Sequence, residues 1–143
     1  MSDKELGLAV VGSGRIGTLR ANMASRHPAM KFLAVSDKDP TRADVLKQAV
    51  GADLASGSNQ EVIAHPDVTA VVVATPEHDH LEAVLAALEL GKPVFVEKPL
   101  ALTNEDADKI VEAAERTGVE VVVGYSRRHD RRWMLTKEHI VQG

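Results

Sequence analysis

Short apolar runs of strand length alternate along the chain with segments in which apolar residues recur every three or four positions. The first run, residues 6–11 (LGLAVV), is almost continuously apolar, which is typical of a strand buried on both faces of a parallel sheet. Further runs of this kind occupy residues 32–35, 70–74, 94–96 and 119–123, with a shorter one at 53–55. The pattern predicts six strands.

Two of the intervening segments show clear helical periodicity. Apolar residues follow the i, i+3, i+4, i+7 spacing of a one-sided helix at Leu81, Val84, Leu85 and Leu88, and again at Ala107, Ile110, Val111 and Ala114. Thr103 is placed to cap the second helix, and Gly91 and Gly118 stand where helix ends favour a positive φ. This alternation predicts an α/β fold with a doubly wound parallel sheet of about six strands, whose ligands bind beyond the carboxyl ends of the strands.

Composition and charge narrow the class of protein. A chain of 143 residues, 44% of them hydrophobic, supports one core without disulfides or a structural metal. Lys and Arg number 17 against 21 Asp and Glu, so no positive field attracts nucleic acid or an anionic membrane. The absence of cysteine excludes thiolate chemistry. Since no apolar run approaches the roughly 20 residues of a membrane helix, we expect a cytoplasmic protein.

A glycine-rich turn follows the first strand. Residues 12–17 read GSGRIG, the G-x-G-x-x-G pattern of the Rossmann dinucleotide-binding fold. Gly12 would make the tight turn, Gly14 would let the backbone approach a pyrophosphate, and Gly17 would let the helix pack closely on the strand. The amides at the helix N-terminus favour the phosphates. The placement of the pattern, between a strand and a helix, favours a dinucleotide site over a purely structural turn.

An acidic residue ends the second strand, twenty positions beyond Gly17. Asp37 stands where this fold places a carboxylate on the adenosine ribose hydroxyls, which favours NAD. Lys38 and Arg42 follow, and either cation could accommodate the 2′-phosphate of NADP, so NADP remains an alternative. Asp37 could instead serve only as a turn former before Pro40, but that role does not explain the spacing.

Three further segments make the chain recognisable: residues 74–80 (ATPEHDH), 91–99 (GKPVFVEKP) and 124–128 (GYSRR). Together with residues 12–17 they resemble the N-terminal domain of the glucose–fructose oxidoreductase, inositol dehydrogenase and rhizopine-catabolism family, over essentially the whole chain. The resemblance implies a first domain that binds NAD or NADP and a second α/β domain that supplies most of the substrate pocket. Many members of that family oxidise a sugar or cyclitol hydroxyl.

The same resemblance assigns roles to individual residues. Lys98 is expected to be catalytic, donating a hydrogen bond to the substrate oxygen while the hydride moves, and the bond before Pro99 is expected to be cis. One of the arginines after the last strand is expected to border the active site. The predicted cofactor-binding residues are Gly12, Ser13, Gly14, Arg15, Ile16, Gly17, Asp37, Lys38, Arg42, Ala74, Thr75, Pro76, His80, Glu97, Lys98, Pro99 and Arg127.

The predicted domain boundary lies near the end of the chain. Residues 1–126 are expected to form the dinucleotide-binding domain, and residues 127–143 a connecting turn and helix towards a C-terminal substrate domain. In the family, the Asp and His that take the substrate proton lie in that second domain, so the chain alone is expected to be inactive towards a small polyol or sugar. A fragment and a naturally short protein both fit the sequence.

The histidines, the basic run and the last helical segment allow other interpretations. His78 and His80 diverge on a helix and have no evident third partner, so no metal site is expected. The basic run at residues 127–132 has a local role rather than a nucleic-acid one. Trp133, Lys137, Ile140 and Val141 have helical spacing, and the surface that they form is expected to need cover, which predicts a homo-oligomer.

Two other functions remain beside the oxidoreductase domain. The family that the chain resembles also includes non-catalytic co-regulators, so a dinucleotide-sensing or interaction module is the first alternative. An S-adenosylmethionine methyltransferase shares the first strand, the turn and the acid after the second strand, but the Glu97-Lys98-Pro99 segment disfavours it.

Overall fold

The computed structural model describes residues 5–142, without the side chains of residues 127 and 129. The six predicted strands are confirmed, with boundaries that move by at most two residues. In chain order the elements are β1 Leu6–Val11, α1 Arg15–Ser25, β2 Met30–Ser36, α2 Pro40–Val50, β3 Leu54–Ser56, α3 Asn59–Ala64, β4 Ala70–Val73, α4 His80–Glu89, β5 Val94–Glu97, α5 Asn104–Thr117, β6 Val121–Gly124 and α6 Arg131–Gln142. Two 3₁₀ turns, Glu77–Asp79 and Ser126–His129, precede α4 and α6.

The strands form one parallel sheet in the order β3-β2-β1-β4-β5-β6. This is the strand order of a dinucleotide-binding Rossmann fold, and it confirms the predicted α/β doubly wound architecture. The direction of winding reverses between β1 and β4, so the turns that follow these two strands diverge and leave a crevice at the carboxyl edge of the sheet.

The core has two halves because the sheet is covered on both faces. Along β1, Ala9 and Val11 pack in the cluster that includes residues of α3, α4 and α5, whereas Val10 packs in the cluster that includes residues of α1 and α2. All three residues are fully buried. This two-sided burial is the reason for the continuously apolar strand sequence.

The predicted helix ends are confirmed, but the predicted buried face of α5 is wrong at one residue. The Thr103 hydroxyl accepts a hydrogen bond from the Asp106 amide, and Gly91 and Gly118 have φ of 68° and 67°. Val111, however, was expected to face the core and is 48% exposed, while Ala113 is buried beside Ile110. The buried stripe of α5 passes through Ile110, Ala113 and Ala114, so it is rotated away from Val111.

Lys92 anchors the loop that leads into β5. Its ammonium donates hydrogen bonds to the carbonyl oxygens of Ile63 and His65, at 2.6 and 2.8 Å. These carbonyls lie at the end of α3, where backbone acceptors lack helical partners. Burial lowers the pKa of Lys92 from its ordinary value. The lysine thus fixes the start of the strand that carries Glu97.

The last helix is confirmed over residues 131–142, and its apolar residues are exposed. Met134, Ile140 and Val141 are 52%, 76% and 75% exposed. Within residues 5–142, no helix combines the length and apolarity needed to cross a membrane.

Candidate functional site

The turn between β1 and α1 depends on two glycines for its backbone. Gly12 has a φ of 99°, a region that favours glycine, and its amide donates to the carbonyl oxygen of Ser36 at 2.9 Å. A Cβ on Gly17 would fall 1.7 Å from the carbonyl oxygen of Gly12, so α1 approaches the turn as closely as a glycine permits. The predicted structural roles of both glycines are confirmed.

Gly14 differs from these two glycines, because no contact with a described residue requires a glycine there. Its φ is −75°, and a Cβ placed on it would have no neighbour within 4 Å. The space in front of Gly14 is open and lies at the N-terminus of α1, whose first turn contains no acidic residue. Unpaired amides and the helix dipole make such a position favourable for an anion.

Asp37 is joined to this turn by its side chain. One carboxylate oxygen accepts from the Ser13 amide at 2.9 Å and the other from the Asp39 amide at 3.0 Å. The Ser13 hydroxyl in turn donates to the Ser36 carbonyl oxygen at 3.1 Å. The carboxylate is therefore held in place between the glycine-rich turn and the turn after β2.

A cleft of about 450 Å³ opens between the turns after β1, β2 and β4. Ten of the predicted cofactor-binding residues line it: Gly12, Gly14, Arg15, Ile16, Asp37, Lys38, Arg42, Ala74, Thr75 and Pro76. Sequence reasoning missed three others, Asn59, His78 and Asp79. Asn59 follows a strand of three residues. His78 and Asp79 lie in the turn before α4, where the sequence argued against His78 as a metal ligand and gave no signal for a cofactor contact.

Both cations near Asp37 are paired with carboxylates. The Lys38 ammonium lies 2.6 Å from a carboxylate oxygen of Asp79, across the cleft from its own turn. The Arg42 guanidinium lies 3.9 Å from Asp39, one turn earlier on α2. These two cations therefore add little uncompensated positive charge to the cleft, whereas Arg15, which also lines it, forms no ion pair with a described residue.

The floor of the cleft contains a hydroxyl without a partner. Thr75 Oγ1 is buried, and among the described side chains it is the one buried nitrogen or oxygen atom that makes no hydrogen bond. Buried polar groups are normally hydrogen-bonded, so such an atom next to an open cleft is suited to a ligand. The open space at Gly14, the fixed carboxylate of Asp37 and this hydroxyl together fit a dinucleotide.

His80 lies beneath the cleft and contacts backbone rather than open space. Its side chain is 1% exposed, with Nδ1 2.9 Å from the Pro99 carbonyl oxygen and Nε2 3.0 Å from the Thr75 carbonyl oxygen. Both ring nitrogens are thus engaged, and neither faces a ligand. A neutral imidazole donates one of these hydrogen bonds, and a protonated one donates both. His80 connects the turn after β4 to the turn that carries Lys98.

Lys98 lies at the carboxyl end of β5, outside the lining of the cleft. It is exposed, and no described residue forms an ion pair or hydrogen bond with its ammonium; the Lys98–Pro99 bond is cis, as the resemblance implied. The neighbouring Glu97 points away, accepting from Arg20 Nε at 2.7 Å, and the Arg20 guanidinium stacks over Phe95.

The structure thus separates the predicted residues into a cleft and its surroundings. Ser13 and Gly17 shape the glycine-rich turn, while His80, Glu97, Lys98 and Pro99 belong to the β5 end of the sheet. The side chain of Arg127 lies outside the described part of the chain, so its assignment stays a prediction.

Known proteins with the same organisation are dehydrogenases. The chain is 34% identical over 136 residues to myo-inositol 2-dehydrogenase of Thermotoga maritima, and 35% identical to the NAD⁺-dependent scyllo-inositol 2-dehydrogenase of Bacillus subtilis, covering 95% and 94% of this chain. It superposes with a TM-score of 0.88 on scyllo-inositol dehydrogenase of Lactobacillus casei, solved with NAD(H) and scyllo-inositol, at 28% identity and 98% coverage.

The matched part is the first part of these relatives. The chain spans about 41% of the length of the Thermotoga maritima protein and 42% of the Lactobacillus casei structure. The family profile described as an oxidoreductase family with an NAD-binding Rossmann fold matches residues 6–125. The chain therefore belongs to the glucose–fructose oxidoreductase, inositol dehydrogenase and rhizopine-catabolism family, and contains its NAD-binding Rossmann domain.

Proposed function

We propose that this chain is the cofactor-binding part of a dehydrogenase that oxidises a hydroxyl of a cyclitol or related polyol, with NAD preferred over NADP. Residues 1–126 form the dinucleotide domain in this proposal, and residues 127–143 lead towards a substrate domain. Inositol dehydrogenases among the relatives support the class of substrate. We also propose that the chain alone does not turn over substrate.

The arrangement of Asp37 is the observation that carries the cofactor preference. Its carboxylate is fixed by the amides of Ser13 and Asp39 and lines the cleft beside the glycine-rich turn. A carboxylate there accepts hydrogen bonds from the ribose hydroxyls of NAD and repels the 2′-phosphate of NADP. The open space at Gly14 leaves room for the pyrophosphate.

Lys98 is the catalytic residue in this proposal. A bound nicotinamide ring supplies the acceptor for the hydride of the alcohol carbon. Lys98, exposed at the end of β5, donates a hydrogen bond to the alcohol oxygen and stabilises the negative charge that develops there as the proton leaves. The support from His80 and Lys92 fixes the backbone from which Lys98 extends.

Calorimetric titration of the chain with NADH and NADPH tests the cofactor assignment. We expect saturable binding with NADH tighter, and at least about a tenfold loss of NADH affinity in Asp37→Ala, since a charge-assisted hydrogen bond is lost. Asp44→Asn, an exposed position on α2 outside the cleft, is the matched control. A folded chain that binds neither dinucleotide contradicts the proposal.

A chimaera tests the role of Lys98. The chain is joined to the substrate domain of the Thermotoga maritima relative, and turnover of myo-inositol is measured with Lys98→Ala. We expect kcat to fall by about 10²-fold or more while NADH affinity changes less than twofold. Unchanged turnover in this variant contradicts the catalytic role of Lys98. A folded wild-type chimaera that binds NADH but turns over no substrate favours a dinucleotide-sensing module instead.

A further inference from the structure

The Lys38–Asp79 ion pair joins two segments that are far apart in sequence. Lys38 lies in the turn after β2 and Asp79 in the 3₁₀ turn before α4, and their charged atoms are 2.6 Å apart. Both residues line the cleft that contains Asp37. The pair therefore spans the cleft on the side where the Asp37 carboxylate lies.

The two partners differ in how firmly they are placed. The Asp79 side chain is 17% exposed and the Lys38 side chain is 70% exposed. Asp79 also directly precedes α4, where the helix dipole favours a negative charge. Its second carboxylate oxygen lies 3.6 Å from His78 Nε2. Asp79 is thus the more buried partner, and its ion pair places the exposed Lys38 ammonium on the β4 side of the cleft.

Recognition of a 2′-phosphate at this position requires a free cation. A phosphate monoester carries close to two negative charges and needs Lys or Arg to offset them. Lys38 adjoins Asp37 and is the nearest candidate in sequence, but its charge is already compensated by Asp79. Arg42 is in turn close to Asp39, at 3.9 Å. Arg15, the third cation that lines the cleft, lies at the start of α1 after the glycine-rich turn. On the side of the turn after β2, three carboxylates and two cations leave the cleft unfavourable for an added anion.

We infer that Asp79 determines cofactor specificity by holding Lys38 away from the ribose 2′ position, so that NADP is excluded by a second carboxylate besides Asp37. This inference rests on the proposed function, because it concerns the dinucleotide that the cleft accepts. It adds a residue that lies 42 positions after Asp37 and on a different turn.

The test is a set of titrations with NADH and NADPH at low ionic strength, where exposed charge pairs are screened least. Asp79→Asn keeps the shape of the side chain and frees Lys38. We expect the affinity for NADPH to rise about two- to fivefold, within the range that exposed charge pairs usually span, while that for NADH changes less than twofold. The gain should shrink as salt is added.

Two further variants identify the cause of the gain. In Lys38→Met combined with Asp79→Asn, the gain in NADPH affinity should disappear, because the freed ammonium is gone. Glu77→Gln removes one charge from the same 3₁₀ turn but lies outside the cleft, and it should leave the preference unchanged. Thermal unfolding of each variant establishes that it is folded.

The outcomes separate this inference from the proposed function. If the wild-type chain binds NADH but Asp79→Asn gains no NADPH affinity, the inference is wrong and the NAD-binding role stands. If Glu77→Gln gains as much, or the gain survives the loss of Lys38, a general charge effect replaces the specific role of Asp79. If the folded wild type binds neither dinucleotide, both proposals fall.

Discussion

The two ends of the site are built differently. At the glycine-rich end, the functional groups are tied to one another: Asp37 to the amide of Ser13, and Gly12 to the carbonyl of Ser36. At the β5 end, the neighbours of Lys98 are tied down, through His80 and through the pair of Glu97 with Arg20, while Lys98 itself is exposed.

This difference indicates how the work is divided along the protein. At the first end, the carboxylate and the turn geometry are set by hydrogen bonds within this chain. At the second end, the backbone around Lys98 is held in place but its side chain is not. In the proposed function, the first end recognises the cofactor and the second end presents Lys98 to the substrate.

Substitution of the glycines gives the largest expected effect and separates fold from recognition at the first end. Gly17→Ala should destabilise the protein by at least about 4 kcal/mol, because its Cβ would overlap the carbonyl oxygen of Gly12. Gly14→Ala should change the free energy of unfolding by less than about 1 kcal/mol and still weaken NADH binding. Urea denaturation and calorimetry measure the two effects, and equal stability losses would contradict this division of roles.

Removal of the His80 ring tests how the backbone around Lys98 is held at the second end. His80→Ala should cost about 2–3 kcal/mol, because it leaves the carbonyls of Thr75 and Pro99 without a donor and creates a cavity. Backbone amide exchange in residues 97–101 should become faster. The matched control is His78→Ala, whose side chain is 68% exposed and whose loss should cost under about 0.5 kcal/mol. A similar, small loss in both variants would mean that the ring does not support this backbone.

The ion pair between Arg20 and Glu97, next to Lys98, should contribute less to the free energy of unfolding. Arg20→Ala should destabilise the protein by about 1–2 kcal/mol, since it leaves the mostly buried Glu97 carboxylate without its cation. A double-mutant cycle with Glu97→Gln measures the coupling between the two side chains. Arg26→Ala, at the exposed end of α1, is the control. A coupling free energy near zero would show that the pair does not stiffen this end.

Self-association is the smallest expected effect. The exposed Met134, Ile140 and Val141 of α6 lead us to expect a measured mass above that of a monomer at high protein concentration, by light scattering. Replacing Ile140 and Val141 together with Ser should lower that mass, whereas Lys137→Ser on the same helix should not. A monodisperse monomer at high concentration would contradict the prediction and leave this face to another occupant.

The positions of the strands and the glycine-rich turn follow from the sequence because local patterns determine them. Continuous apolar runs such as residues 6–11 give buried strands, and the spacing between Gly17 and Asp37 places the carboxylate at the end of β2. The burial of Ile110 was also predictable. The exposure of Val111 was not predictable, because the small Ala113 takes its place in the stripe that packs on the sheet, and alanine gives a weak apolar signal.

The parts that sequence did not predict depend on contacts between distant segments. Lys38 and Asp79 are 41 positions apart, and Arg20 and Glu97 are 77 apart, so no local spacing links them. His80 was expected to contact the cofactor, but its two ring nitrogens are used by backbone carbonyls of separate turns. Such pairings become visible only when the sheet brings the ends of β2, β4 and β5 to one edge.

The open space at Gly14 has a consequence for engineering of this protein. Because a Cβ there meets no atom of the described residues within 4 Å, a library screened for solubility or thermal stability would accept many side chains at this position. Successive rounds would then retain well-folded proteins in which a side chain fills the space proposed for the pyrophosphate. A screen must therefore include cofactor retention from its first round, since folding alone places no selective pressure on this residue.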